Sequence, residues 1–412
     1  MSYPATKQYR WPLSVDPFTL WDRLRLAAFV LNRSNRLTQC EQVKLYEQKM
    51  AKFIGCKFAV YASSGSAANT LLAMYVKDHT TRRVVAFPAV TWQTSCSPWI
   101  REGFTPRFFD VNIHDFSLNL TKLDEWLDVH AQECACVFVT SLLGFSPDLE
   151  KLDWLQGKHG VRIYTDNCES ALTSFKSRNI SSYFTSTIST YFAHHIQSIE
   201  GGFVLTDDEK LYHYCLMARN HGMVRGLKHP AFKLTLPIEE YRTPSISEEF
   251  DFSVMGSNFR NTEINAFLGQ MDLLRAGSYI NDRREQYEAF FKMIDPKFYV
   301  PRLKGEYEDV PFCLPIVPIY HQYKHKCLMA CERLGIESRP LVAGNLLQHR
   351  AYREFYPQYY PTQDISKLET EKAKLSVADI LHRNGFYVGI GNCTTLENVK
   401  HLATELNRIV GV

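Results

Sequence analysis

The chain has no CxxC pair, no long apolar run and almost no net charge, and each absence removes a class of protein. Its eleven cysteines are an odd number scattered over 412 residues, which argues against a disulfide frame or a zinc knuckle and for reduced thiols. Cys134 and Cys136, two apart in an apolar run, are expected to pack in the core on one face of a strand. The opening MSYPATKQYRWPLS offers no apolar stretch fit for a signal peptide, and the most apolar early run, Leu24 to Leu31, is too short to span a bilayer. A cytoplasmic protein with no membrane partner is expected. A formal net charge of +3 is too small and too dispersed for a nucleic-acid protein, whose basic residues cluster.

Hydrophobic residues at 45% and charged residues at 22% are ordinary globular usage, and the length suits two compact units. From about residue 41 to 220, short β-rich runs alternate with helical stretches. Lys57–Ala62, Arg83–Phe87, Pro106–Val111, Cys134–Leu142, Arg162–Thr165 and Phe203–Leu205 read as strands, many of them nearly continuous apolar runs. Segments 66–77, 93–102, 120–129, 148–158 and 207–218 carry helical patterning between them. This alternation predicts an α/β fold, a mostly parallel sheet wrapped by helices, with ligands at the carboxyl ends of the strands. A polar, proline-containing stretch at 226–250 breaks the pattern, 261–293 reads as long helix, and 310–412 reads as a smaller α+β unit with a strand at Val310–Ile319 and a helix near Leu396–Ile409. The expected division is an N-terminal segment 1–40, a large ligand-binding domain 41–260, and a linking helix with a small C-terminal domain over 261–412. Met1–Arg36 receives no structural expectation.

Several loops that follow strands carry residues suited to chemistry. Ser63-Ser64-Gly65-Ser66 closes a strand and opens a helix, where unpaired backbone N–H groups and the helix dipole favour a phosphate. Trp92 follows another strand and offers a flat face for stacking. Asp166 ends the strand-like Arg162-Ile163-Tyr164-Thr165, and a carboxylate there can hold a proton on a pyridine nitrogen. The stretch Ser189-Thr190-Tyr191-Phe192-Ala193-His194-His195-Ile196-Gln197-Ser198-Ile199-Glu200-Gly201-Gly202 contains a histidine pair whose members point different ways, so it does not read as a metal site. No lysine occurs between Lys176 and Lys210.

Taken in order, Ser-Gly-Ser, Trp, Asp-Asn-Cys-Glu-Ser, Ser and His-His before Glu-Gly-Gly resemble the DegT/DnrJ/EryC1 sugar aminotransferase family over residues 35 to 409. That resemblance implies the type I aspartate aminotransferase fold with pyridoxal 5'-phosphate or pyridoxamine 5'-phosphate as cofactor. The family places the lysine that binds the cofactor covalently a few residues before Glu-Gly-Gly. Here the position holds His194, as in the family's 3-dehydratase branch, so the cofactor is expected to be bound noncovalently. The resemblance further implies that Gly65, Ser66 and Ser189 hold the phosphate, Trp92 stacks on the ring, Asp166 pairs with its nitrogen and Glu169 lies beside it. Arg225 and Arg260 match arginines that contact the nucleotide sugar, and Glu337 to Asn345 also fits the branch.

Some 3-dehydratases acting on CDP-linked sugars carry an iron–sulfur cluster on closely spaced cysteines. Only Cys215 lies between the histidine pair and Cys313, so no such cluster is expected. The implied activity is loss of the C3 hydroxyl from a nucleotide-linked 4-keto-6-deoxyhexose, GDP-4-keto-6-deoxy-D-mannose first, by a lyase of colitose and O-antigen synthesis. His194 serves as the base, and L-glutamate restores the amine. A homodimer with each site at the subunit boundary is implied. The alternatives are the same chemistry on a CDP- or dTDP-sugar, and a catalytically silent nucleotide-sugar binding relative.

Overall fold

The computed structural model describes residues 8–224, 252–301, 307–352 and 375–411. Near-continuous apolar runs become strands buried on both faces. They are β1 (Phe58–Ala62), β2 (Val84–Pro88), β3 (Thr105–Phe109), β4 (Cys134–Thr140) and β5 (Ile163–Asp166), followed after a short hairpin β6 (Ser174–Phe175) and β7 (Arg178–Asn179) by β8 (Ser186–Ser189) and β9 (Gly202–Thr206). The seven-stranded sheet runs β1-β9-β8-β5-β4-β2-β3. Only β9 is antiparallel to its neighbours. The carboxyl ends of the other six therefore share one edge, where ligands are bound in such sheets.

After α1 (Leu20–Leu31), which lies on a later helix, helices cover both faces: α2 (Glu41–Ile54), α3 (Gly65–His79), α4 (Gln93–Arg101), α5 (Leu120–His130), α6 (Leu149–His159) and α7 (Glu209–Arg219). Their starts follow from local chemistry. The side chains of Ser64, Asn119, Asp148 and Asp208 cap α3, α5, α6 and α7 by accepting from N–H groups of the first turn. Cys40 supplies no such cap to α2, and the carboxylate of Glu263 does it from a distance, accepting from the N–H groups of Cys40, Gln42 and Val43 at 2.7, 2.7 and 3.0 Å.

Two expectations need correction here. The segment 261–293 is two helices, α8 (Glu263–Leu273) and α9 (Ala276–Met293). They break where buried Asp272 accepts from Gln197 N and Tyr279 Oη and where Arg275 reaches back to Asp22. Those tertiary ties outweigh helical periodicity. Cys134 and Cys136 are both fully buried, but they pack into different apolar clusters. The β2–β4 register shifts between Val84 and Val85, whose partners are Cys134 and Cys136, and that irregularity turns the second cysteine to the other side.

Beyond α9, short strands β10 (Phe298–Tyr299) and β11 (Tyr307–Glu308) precede β12 (Cys313–Pro318), α10 (Gln322–Arg333), β13 (Ser338–Pro340), α11 (Ser376–Asn384), β14 (Phe386–Gly389) and α12 (Leu396–Val410). An antiparallel sheet β10-β12-β14-β13 packs against α10 and α11, and α12 lies across α9 and α10. The N-terminal stretch is a strap on this unit. Trp11 is buried and its Nε1 donates to Gly389 O at 2.9 Å, while Leu13 N donates to Glu337 Oε2 at 3.1 Å. A capping box of Thr19 and Asp22 then starts α1, whose Phe29 stacks on Phe267 of α8.

Candidate active site

A cavity of about 580 Å³, a size suited to a small ligand, opens at the carboxyl edge of the large sheet and reaches the strap and the small unit. Its floor is the turn from β1 to α3. Ser64 Oγ accepts from Ala67 N at 3.0 Å, which leaves the first N–H groups of the helix directed at the cavity. The backbone is crowded here. A Cβ on Gly65 would lie 2.9 Å from Cys168 Sγ and 3.0 Å from Ser189 Cβ. One on Gly202 would lie 2.4 Å from Gly65 N, and one on Gly201 would lie 2.5 Å from both Thr190 Oγ1 and Tyr61 Oη. Gly202 is therefore required by its close approach to the head of α3, and Gly201 by the Thr190 and Tyr61 side chains packed against it. Ser66 Oγ donates to Thr94 Oγ1 at 2.7 Å, and Ser189, at the end of β8, lines the same pocket.

Asp166 sits at the end of β5 and is 2% exposed. Its Oδ2 accepts from Asn69 Nδ2 at 2.9 Å and Ser95 Oγ at 2.7 Å, and its Oδ1 accepts from Cys168 N at 3.1 Å. Thr187 Oγ1 donates to Asn69 Oδ1 at 2.6 Å, so β8 orients the amide that orients the carboxylate. An ionised carboxylate has about four acceptor positions. Three are taken by fixed donors, and the fourth, which the weakly donating Cys168 thiol also faces, can accept from a ligand N–H. Trp92 stands at the start of α4 with 56% of its surface exposed beside the cavity.

Glu169 lines the same cavity and accepts from Leu143 N at 2.8 Å. Burial, reinforced by neighbouring Asp166 and opposed by the Leu143 N–H, pushes its carboxyl up to about 7. The folded chain thus holds this proton more tightly than the unfolded chain between the ordinary carboxyl range and about 7, and stability from this group is lost as pH rises through that window. Glu169→Gln removes the dependence. Without cofactor, the melting temperature of the variant relative to wild type should rise as pH is raised from about 5 to about 8. An offset that stays constant across that range would contradict the assignment.

His194 lies on the loop between β8 and β9, which is closed by its own bonds: Thr190 N to Gly201 O at 2.9 Å, Ser198 N to Thr190 O at 2.8 Å and Phe192 N to Ile199 O at 3.0 Å. His194 lines the cavity, and its buried Nδ1 has no hydrogen-bond partner. Burial, aided by the positive charge of Arg283, pulls its pKa down to about 4, so the ring is neutral near pH 7. His195 is 1% exposed and does not line the cavity. Burial, aided by Arg283 and His194 and opposed by the Pro311 carbonyl, holds its pKa well below the usual imidazole range, and neither ring nitrogen makes a hydrogen bond of ordinary geometry. Among the described residues no lysine lines the cavity.

The fold thus brings together Gly65, Ser66, Trp92, Asp166, Glu169, Ser189 and His194. Arg260 is elsewhere: its Nη1 donates to Asn220 Oδ1 at 3.1 Å and its Nε to Asn258 Oδ1 at 3.0 Å, outside this chain's own cavity. Arg225 lies outside the described residues. Sequence reasoning missed Asn69, Ser95 and Thr187. Asn69, four residues past Gly65 and so on the same helix face, was open to discovery. Leu13 and Ser14 of the strap, with Glu337, Arg339 and Tyr387 of the small unit, complete the mouth.

Residues 24–406 match the DegT/DnrJ/EryC1/StrS aminotransferase family. The chain is 28% identical over 397 residues to a GDP-4-keto-6-deoxy-D-mannose 3-dehydratase of Yersinia pseudotuberculosis, covering 94% of this chain and 96% of that protein. Its fold is similar to that of the E. coli GDP-4-keto-6-deoxy-D-mannose-3-dehydratase solved with bound hydrated PLP, with a TM-score of 0.82, 25% identity and coverage of 97% and 100%. A GDP-4-keto-6-deoxymannose-3-dehydratase variant with asparagine in place of a histidine, solved with bound GDP-perosamine, gives a TM-score of 0.81 at 26% identity, with coverage of 96% and 100%.

Proposed function

Since the chain belongs to the DegT/DnrJ/EryC1/StrS aminotransferase family, we propose that it is a lyase using pyridoxal or pyridoxamine phosphate to remove the C3 hydroxyl of GDP-4-keto-6-deoxy-D-mannose. The observation that carries this reading is the pairing of a built ring-nitrogen carboxylate, Asp166, with a neutral His194 where the aminotransferases place their lysine. The site fits the cofactor. Gly65 lies beside Ser66 and Ser189 with no room for a Cβ of its own, Asp166 faces the cavity with its carboxylate fixed by donors, and the exposed face of Trp92 suits stacking. When bound, the cofactor supplies an amine for the sugar's ketone and an electron sink, and L-glutamate restores the amine.

The chain's own part is positioning and proton transfer. Asp166, fixed by three donors, keeps a proton on the ring nitrogen. His194 takes up the proton whose removal lets the C3 hydroxyl depart, which a neutral imidazole can do and an imidazolium cannot. Glu169, with its raised pKa, exchanges protons near neutral pH from the same wall. Incubation with GDP-, CDP- and dTDP-linked 4-keto-6-deoxyhexoses, cofactor and glutamate should give a 4-keto-3,6-dideoxy product fastest from the GDP sugar. Faster turnover of another nucleotide would overturn the GDP assignment, and no turnover of any would favour a silent binding relative.

The working form is a twofold homodimer in the cytoplasm. Arg260 is held by two asparagines away from its own cavity, as an arginine serving a neighbour's site would be. Leu20, Trp21, Leu24 and Leu31 leave an exposed apolar stripe on α1, and Met255 and Leu274 are exposed as well. All eleven cysteines are unpaired, in keeping with a reducing compartment. Sedimentation at micromolar concentration should show a dimer, and a stable, fully active monomer would contradict this.

A further inference from the structure

We propose that Arg283 of α9 is a positioning residue for His194, acting through the Pro311–Phe312 backbone and through its own unpaired charge. The proposal rests on the reading of His194 as the proton-carrying group. Arg283 Nη1 donates to Phe312 O at 2.7 Å and to Pro311 O at 3.3 Å. The Phe312 ring in turn lies edge-on against both imidazoles, 5.4 Å from His194 and 5.8 Å from His195 between ring centres, and it forms part of the cavity wall. Phe312 N donates to Leu143 O at 2.8 Å, and Leu143 N donates to Glu169. A run of hydrogen bonds therefore links α9 to Glu169, and the Phe312 ring it passes carries the contact on to His194.

Among the described residues no carboxylate makes an ion pair with Arg283, although neighbouring Asp282 acts on it through space. Enclosing an unpaired guanidinium costs stability, and carbonyl acceptors offset only part of that cost. Gly391 leaves it room, since a Cβ there would lie 3.3 Å from Arg283 Nε. Several groups around His194 titrate or carry charge. Arg283 stands on α9, Tyr191, His195 and Glu200 on the same loop, Cys313 at the start of β12, and Asp166, Cys168, Glu169, Glu337, Arg339 and Tyr387 elsewhere in the cavity wall. Of these, Arg283 is the cation whose field disfavours protonation of both imidazoles.

The test is histidine NMR titration of the cofactor-free full-length chain, with His194 assigned by its loss in His194→Asn, alongside pH profiles of dehydration. Arg283→Gln should raise the His194 midpoint by about one pH unit and move the acid limb of kcat by the same amount, while Arg283→Lys should leave the midpoint in place. Arg283→Lys should nonetheless lower kcat about tenfold at unchanged KM, because one ammonium cannot hold both carbonyls and the Phe312 ring loosens. An unmoved midpoint in Arg283→Gln would overturn the proposal. If that variant does not fold, Arg283→Lys decides alone, and unchanged kcat with unchanged ring shifts is the negative result. If His194→Asn retained full dehydration, the functional reading would fail while the titration still reported on Arg283.

Discussion

Replacing His194 with asparagine should lower sugar dehydration at least about a hundredfold, the lower end of what a general base contributes, and leave cofactor binding in place. Asparagine keeps some of the size and polarity of the ring, but it cannot take a proton near neutral pH. The residues that hold the cofactor lie on other elements: Gly65 and Ser66 on α3, Asp166 on β5 and Ser189 on β8. Their bonds to Asn69, Ser95, Thr94 and Cys168 do not involve the histidine. Absorbance titration with pyridoxal phosphate should therefore give a Kd within about threefold of wild type. The matching His195→Asn change should be milder on rate, since His195 is buried behind the cavity wall. The reverse ranking of the two variants would show that the wrong histidine has been assigned.

His194→Lys should change the outcome of the reaction. A lysine at this position enters a pocket that otherwise has none among the described residues, and the burial that lowers the imidazole pKa would also favour a neutral amine. A neutral amine beside an aldehyde forms a covalent link, so the variant should show a shifted cofactor absorbance. Borohydride should then fix cofactor to residue 194, while the wild-type chain should carry none there. Dehydration should fall and residual turnover should move toward an amino sugar. Stoichiometric cofactor on an active-site lysine of the wild-type chain would contradict the noncovalent reading.

The chemistry-bearing residues were legible because they are local. Gly65, Ser66 and Asp166 each lie at a strand's carboxyl end, and that placement needs only strand periodicity and the turn that follows. β8 was harder to read. Its sequence Ser-Thr-Ile-Ser looks polar, yet all four residues are buried, because their hydroxyls find partners such as Asn69 and Ser181 O. The break at Leu274 and Arg275 and the split of Cys134 from Cys136 were hidden for a similar reason. Each is set by a contact or a register with a segment far along the chain. Arg283 and Phe312 were invisible to pattern reading. Their distances to His194 in sequence, 89 and 118 positions, carry no signal of a ring contact or a field. The strap over residues 8–18 escaped because its anchors, Trp11 and Leu13, bond to Gly389 and Glu337 rather than to any neighbour.

The central claim is that this scaffold removes a hydroxyl instead of delivering an amine, and the fate of glutamate's nitrogen tests it most directly. With ¹⁵N-labelled L-glutamate, cofactor and GDP-4-keto-6-deoxy-D-mannose, the label should appear as free ammonia in step with a nucleotide sugar one oxygen poorer whose hexose carries no amine and no label. Label retained on the sugar would show that the chain is an aminotransferase despite its histidine.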